Sequence, residues 1–195
     1  VIKALAEIYS SVTIALPQNA VSDSLLRKTF NKKTNLLNEY GIVFGFSIAS
    51  KFVSFKAFKS LLDFSFSMYP NHIEIDTSSL EASATLSTVD IKKIKQIAFS
   101  TETFYTYGRA VPWFLTALEP LKIKPTQFFS DFAEWQLCNN CDSSTNFVPS
   151  QLSHQEIEKM QLLFLLLKYE EKNIKQYYTA LTDFVKIQGA FARAA

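Results

Sequence analysis

The stretch STVDIKKIKQIAFSTETFYTYGRAVPWFLTALEPLKIKPTQFFSDFAEW, Ser87 to Trp135, decides how the chain is read. Ser87 or Thr88 with Asp90 behind it is a helix start, because a short oxygen-bearing side chain accepts from the first free backbone N–H groups and an acid suits the first turn. Val89, Ile91, Ile94, Ile97 and Ala98 follow with a helical period, while Lys92, Lys93 and Lys95 fall on the opposite side. Ser100 reads as a second cap with Glu102 in the next first turn. The stripe of that helix is Phe104, Tyr107, Val111, Phe114, Leu115 and Leu118. Pro112 removes the hydrogen bond to the Gly108 carbonyl, which predicts a kink. Pro120 and Pro125 bracket a short connection, and Thr126 caps a helix from Gln127 to Leu137.

Working outward toward the N-terminus, apolar spacing predicts a helix from Val1 to Leu16, carried by Ile2, Leu5, Ala6, Ile8, Tyr9, Val12 and Leu16 and ended by Pro17. Ser22-Asp23 caps a second helix that runs to Tyr40, with Gly41 as its stop. Its outer side carries Arg27, Lys28, Lys32 and Lys33, the densest basic cluster in the sequence, which is read either as a solvated face or as a nucleic-acid contact. Residues 41–50 fit a buried helical turn or a short strand equally. Phe52 to Met68 is helical through Leu62, after which DFSFSMY alternates as an extended segment would. Residues 70–86 read as a short β-hairpin or a loop.

Toward the C-terminus, Cys138 to Leu152 is a polar loop and Ser153-x-x-Glu156 is a capping box that opens an apolar helix. A last helix is expected from Ile174 to about Ile187, with Gly189 as its stop. The fold class expected is mainly α, a bundle of about seven helices with a short β-hairpin near 70–86. It would form a single domain over residues 1–195 with lobes at 1–69 and 87–188 and assembly arms at the ends. The opening at Val1 rather than Met fits a trimmed core.

Composition narrows the function classes. Apolar residues make up 48% of the 195, enough for a sizeable core, and Phe (18) and Tyr (8) are abundant while Gly (4) is scarce. Scarce glycine argues against Gly-rich phosphate loops, and neither a P-loop nor a dinucleotide fingerprint occurs. The net charge of +2 is nearly neutral, so any nucleic-acid contact must come from a local patch. Two cysteines three apart are no disulfide framework, which reads as an intracellular chain. No leader of the secretory type opens it, and the longest apolar run, Leu162 to Leu167, is too short to span a bilayer.

Catalytic constellations are not legible. Cys138-x-x-Cys141 with His154 lacks the fourth ligand of a structural zinc, and His72 is distant in sequence. There is no G-x-S-x-G elbow, and the two histidines sit in polar contexts without an evident carboxylate to orient them. Asp131 and Glu134 share a helix face that reads as solvated. The expectation is a non-enzyme with no metal and no cofactor. Arg109 lies among Tyr105, Tyr107 and Trp113, a mixture of guanidinium and rings that suits single-stranded RNA, whose bases stack on exposed aromatics.

From Ser87 to Trp135 the order of residues resembles the core of coat proteins from flexible filamentous plant viruses, the potexvirus-like group. The resemblance rests on Ser87 and Ile91, Ser100 at a Thr position, Phe104, Trp113, the turn Ile123-Lys124-Pro125 and the segment Phe129-Ser130-Asp131-Phe132, with Pro149-Ser150 before the next helix. Glu102 stands where that family has its characteristic arginine, and the segment between Trp113 and Pro125 is shorter. Arg109 lies seven residues on, two α-helical turns, and so on nearly the same face. The resemblance implies a subunit that polymerises helically on single-stranded RNA in a virion in the host cytoplasm, with Ser87, Tyr105, Arg109, Trp113, Asp131, Lys32 and Lys33 as RNA-binding residues. Its partners would be RNA and further copies of itself, with no membrane. The alternative is a helical protein-interaction module without nucleic acid, for which the apolar helix around Leu162–Leu167 would form a groove.

Overall fold

The computed structural model describes residues 2–8 and 10–194. The protein is mainly α-helical, with eight α-helices and one small parallel sheet among the described residues. It divides into two compact units, residues 1–98 and 99–195. That division falls later than the 70–86 separation expected between lobes.

The first unit holds α1 (Ile2–Glu7), β1 (Ser11–Ala15), α2 (Ser24–Glu39), β2 (Val43–Ile48), α3 (Phe55–Phe66) and β3 (His72–Ile75). The strands are parallel in the order β1-β2-β3, with Val12 beside Phe44, Ile14 beside Phe46, and Phe46 beside Ile73. Phe44, Phe46, Ile48 and Ile73 are buried on one face, where Phe30 of α2 meets the Phe46 ring edge-on at 6.4 Å. The other face carries Thr13, Gly45 and His72 in one row and Ala15, Ser47 and Glu74 in the next. A Cβ on Gly45 would lie 2.1 Å from the His72 ring, so only glycine lets that ring lie across the strand.

Several expectations for this unit are corrected. The helix expected to Leu16 ends at Glu7, and β1 replaces its second half. Val12-Thr13-Ile14 is β-branched, and pairing with β2 outweighs the apolar spacing that suggested a helix. Tyr9, counted in that stripe, lies outside the described residues. Residues 41–50 resolve as β2, and α3 stays helical through Phe66 across the alternating segment. No hairpin forms at 70–86. β3 pairs with β2 in parallel, and the antiparallel contact there is an isolated bridge between Ser83 and Leu86.

Helix α4 (Thr88–Thr101) runs across the division. The second unit continues with a π-helical segment, Glu102–Tyr107, then α5 (Phe114–Leu118), α6 (Pro125–Cys138), α7 (His154–Glu171) and α8 (Tyr178–Ala194), with 3-10 turns at Pro149–Gln151 and Lys175–Tyr177. Its core is aromatic. The fully buried Phe104 ring is ringed by Phe128 (4.9 Å), Phe132 (5.0 Å), Trp113 (5.8 Å), Phe129 (6.1 Å) and Phe114 (6.2 Å), mostly edge-on, the arrangement that ring quadrupoles favour.

Here too the local readings shift. Ser100 is no cap. It is buried mid-helix and donates to Gln136 Oε1 at 2.6 Å. The kink expected at Gly108 and Pro112 is a full break, with Arg109 in the left-handed region at φ 48°. Lys124 rather than Thr126 precedes α6, and Pro125 occupies its first turn, where a missing N–H costs nothing. Gly189 does not end α8. A Cβ there would meet Glu158 Oε2 at 2.0 Å, so this glycine permits a close approach of α8 to α7. The Ser153–Glu156 capping box is present in both directions.

Candidate nucleic-acid interface

Helix α2 begins at Asp23, whose carboxylate accepts from the Leu25 and Leu26 N–H groups at 2.9 and 3.0 Å, and ends before Gly41 at φ 64°. At 3.6 residues per turn, Phe30, Thr34 and Leu37 fall inward, Thr34 and Leu37 being buried. Arg27, Lys28, Asn31, Lys32, Asn35 and Asn38 fall together on the outward side, all exposed, while Lys33 is exposed round the opposite edge. None of Arg27, Lys28, Lys32 and Lys33 makes an ion pair within the described residues. Glu39, at the last position, is the one carboxylate of the helix.

The C-terminal end of α2 is tied to the α3–β3 connection. The Asn38 side chain donates to the Met68 carbonyl at 3.2 Å, the Asn71 N–H donates to the Phe44 carbonyl at 2.7 Å, and the Phe44 N–H returns a bond to Asn71 Oδ1 at 3.1 Å. These bonds lay the segments 40–44 and 68–71 side by side where β2 and β3 begin. Tyr40 and Tyr69 project there, 41% and 52% exposed.

The residues expected to bind RNA from the central stretch are placed otherwise. Trp113 and Tyr105 are each only 2% exposed and belong to the aromatic core, so neither offers a face to a base. The Ser87 hydroxyl closes the α4 cap, donating to Asp90 Oδ2 at 2.8 Å and accepting from the Asp90 N–H at 3.1 Å. The Ser87 hydroxyl, and the Ser87 N–H that also donates to Oδ2, hold the Asp90 carboxyl below its ordinary range. Asp131 pairs with Lys168 at 2.8 Å and accepts from Gln127 at 2.6 Å. Arg109 is exposed, but the face it was to share with Glu102 does not exist: residues 102–107 are π-helical and Arg109 lies in the turn beyond. Lys32 and Lys33 are both exposed on α2, but Lys33 lies apart from the side that Lys32 shares with Arg27 and Lys28.

Both histidines have carboxylate neighbours that the sequence did not disclose. His72 is in β3, with Nε2 at 3.3 Å from Thr13 Oγ1 and 3.8 Å from Glu74. His154 opens α7 beside Arg193, whose Nη1 lies 3.4 Å from its Nδ1 and 2.9 Å from Glu158 Oε2. Burial lowers the His154 pKa and the Arg109 and Arg193 charges add to this, while Glu158 and the Gly108 carbonyl oppose it. Cys141 is buried, its thiol pushed up to about 11 by burial and by Asp142, whereas Cys138 is exposed. Among the described residues no group of three or more His, Cys, Asp and Glu side chains is placed to hold a metal ion, and no helix is long and apolar enough to cross a membrane.

The tyrosines of the first unit are what sequence reasoning missed. In the sequence Tyr40 is only a helix end and Tyr69 only the last residue of the alternating segment DFSFSMY. Their exposure depends on the parallel sheet, which the sequence did not disclose. No family model, no curated protein and no solved structure matches this chain.

Proposed function

We propose that the chain is a non-catalytic, RNA-binding structural protein, a coat or nucleocapsid subunit that polymerises on single-stranded RNA. The observation that carries this reading is the outward side of α2, where Arg27, Lys28 and Lys32 stand among Asn31, Asn35 and Asn38 without an ion-pair partner. Guanidinium and ammonium groups neutralise phosphates and release counterions, and asparagine carboxamides offer both a donor and an acceptor to sugar or base. The assembly part rests on the resemblance over residues 87–135.

The test is fluorescence anisotropy of a labelled oligoribonucleotide across a salt series. Three phosphates neutralised on a single strand give a log–log slope of about −2, or about twentyfold weaker binding at 200 mM than at 50 mM salt. The R27Q/K28Q/K32Q variant should lose most of that slope while keeping its circular dichroism spectrum. An unchanged slope in the folded variant refutes the interface. Flexible filaments in negative stain, formed with RNA, would support the assembly part, and monomers at high concentration with RNA bound would refute it.

A second reading has its own observation. Leu163 and Leu167 on α7, and Ile187 and Phe191 on α8, are exposed at helical spacing. An apolar partner helix would suit either pair, and such binding would be nearly insensitive to salt.

A further inference from the structure

We infer that the α2 interface selects unpaired nucleobases, with Tyr40 and Tyr69 as the platforms on which they stack. This rests on the α2 reading above and extends it from phosphate to base.

Three features of the first unit converge on it. The first is charge order along the helix. Arg27 and Lys28 stand in its first two turns, Lys32 at its middle and Glu39 at its last position, so phosphate is drawn to the first part of the helix and repelled from its end. The path from Arg27 to Asn38 is about 16 Å at 1.5 Å per residue, room for a few nucleotides of extended strand. The second is that the tyrosines stand at the end phosphate avoids. The Asn38–Met68 and Asn71–Phe44 bonds bring both connections to that end, and both rings are exposed. The third is the backbone of Tyr69, held at φ 56°. A left-handed residue just past a helix end reverses the chain, and here it does so directly after α3. The adjacent Pro70 is buried and Met68 is buried, so the chain anchors on either side and turns the Tyr69 ring outward.

Neither tyrosine has a ring or hydroxyl partner among the described residues. An exposed ring offers stacking to any base and so favours single strands over duplex, whose bases are already stacked. Cations at one end and rings at the other is the combination that sequence-tolerant single-strand binding requires.

The test compares labelled twelve-nucleotide oligouridylate with a twelve-base-pair RNA duplex on the full chain. Asparagine tolerates positive φ, so Tyr69→Asn removes the ring without demanding a new backbone. Tyr69→Asn and Tyr40→Ala should each weaken oligouridylate binding about five- to a hundredfold, and leave duplex binding and the salt slope as they were. Tyr69→Phe should restore wild-type affinity, since the ring and not the hydroxyl is used. Equal affinity for single strand and duplex in the wild type, or oligouridylate binding unchanged in both ring-removal variants, overturns the inference. The α2 reading fails separately, by loss of effect in R27Q/K28Q/K32Q. A drop in that variant with none in the tyrosine variants would leave the phosphate contact standing and remove the stacking.

Discussion

Gln161→Leu is the sharpest probe of how the second unit is built. The Gln161 side chain, 1% exposed, reaches from α7 to the break after the π-helix, and its Nε2 donates to the Phe104 carbonyl at 2.7 Å and to the Gly108 carbonyl at 3.0 Å. Both acceptors belong to backbone that regular helix would have satisfied. Leucine nearly conserves volume, so the cavity contribution is small and the loss is almost wholly polar. Leaving a buried acceptor unpaired costs about 1–3 kcal/mol. The Phe104 and Gly108 carbonyls both lose this donor, and with each near the lower end of that range the loss totals about 2–3 kcal/mol. Both tryptophans, Trp113 and Trp135, lie in the second unit, so intrinsic tryptophan fluorescence in a urea titration follows that unit alone. With a slope of about 1–3 kcal/mol/M, the midpoint should fall by about 0.7–3 M with the slope unchanged. A midpoint within about 0.2 M of wild type would show that the bonds from Gln161 do not hold the π-helical segment in place.

Two further predictions concern single groups. Cys138 should react with iodoacetamide at pH 8 in the native protein while Cys141 reacts only on unfolding. The raised Cys141 pKa also implies stability present in full below the ordinary thiol value and lost as pH climbs through about 11; two equivalents of rapid native labelling would refute the burial argument. Ser153→Ala should cost about 1 kcal/mol by removing the α7 cap, and the lowered Glu156 pKa, caused first by the Ser153 hydroxyl, should return toward its ordinary value in that variant by carboxyl NMR titration.

What the sequence disclosed and what it concealed divide by range. Ser100, Thr126 and Gly189 carried local signals that packing overrode. Other signals, equally confined to one helical turn, were legible: the Ser153–Glu156 box, Asp23 before α2 and Gly41 after it, and Ser87 with Asp90. So was the mainly helical class, because apolar spacing at α7 and α2 is summed over many residues. The sheet was not, since Val12-Thr13-Ile14 is made a strand by Phe44 and Phe46, some thirty residues away. The π-helical segment was equally hidden, because what stabilises it is a glutamine over fifty residues downstream. The basic residues of the candidate interface could be read directly, whereas its rings could not. Exposure is a property of the packed chain, and aromatic content alone pointed to Tyr105 and Trp113, which the core absorbs.

The parallel pairing of β1 also sets a timetable. On a ribosome Ser11–Ala15 emerges first, and its partner Val43–Ile48 follows roughly thirty residues later, at a synthesis rate of about 5–20 residues per second. For some seconds the nascent strand is unpaired while α2, whose contacts are local, can already form. Ser11 and Thr13, which face the uncovered side of the finished sheet, keep that waiting segment half polar, and its affinity for other nascent chains is correspondingly low.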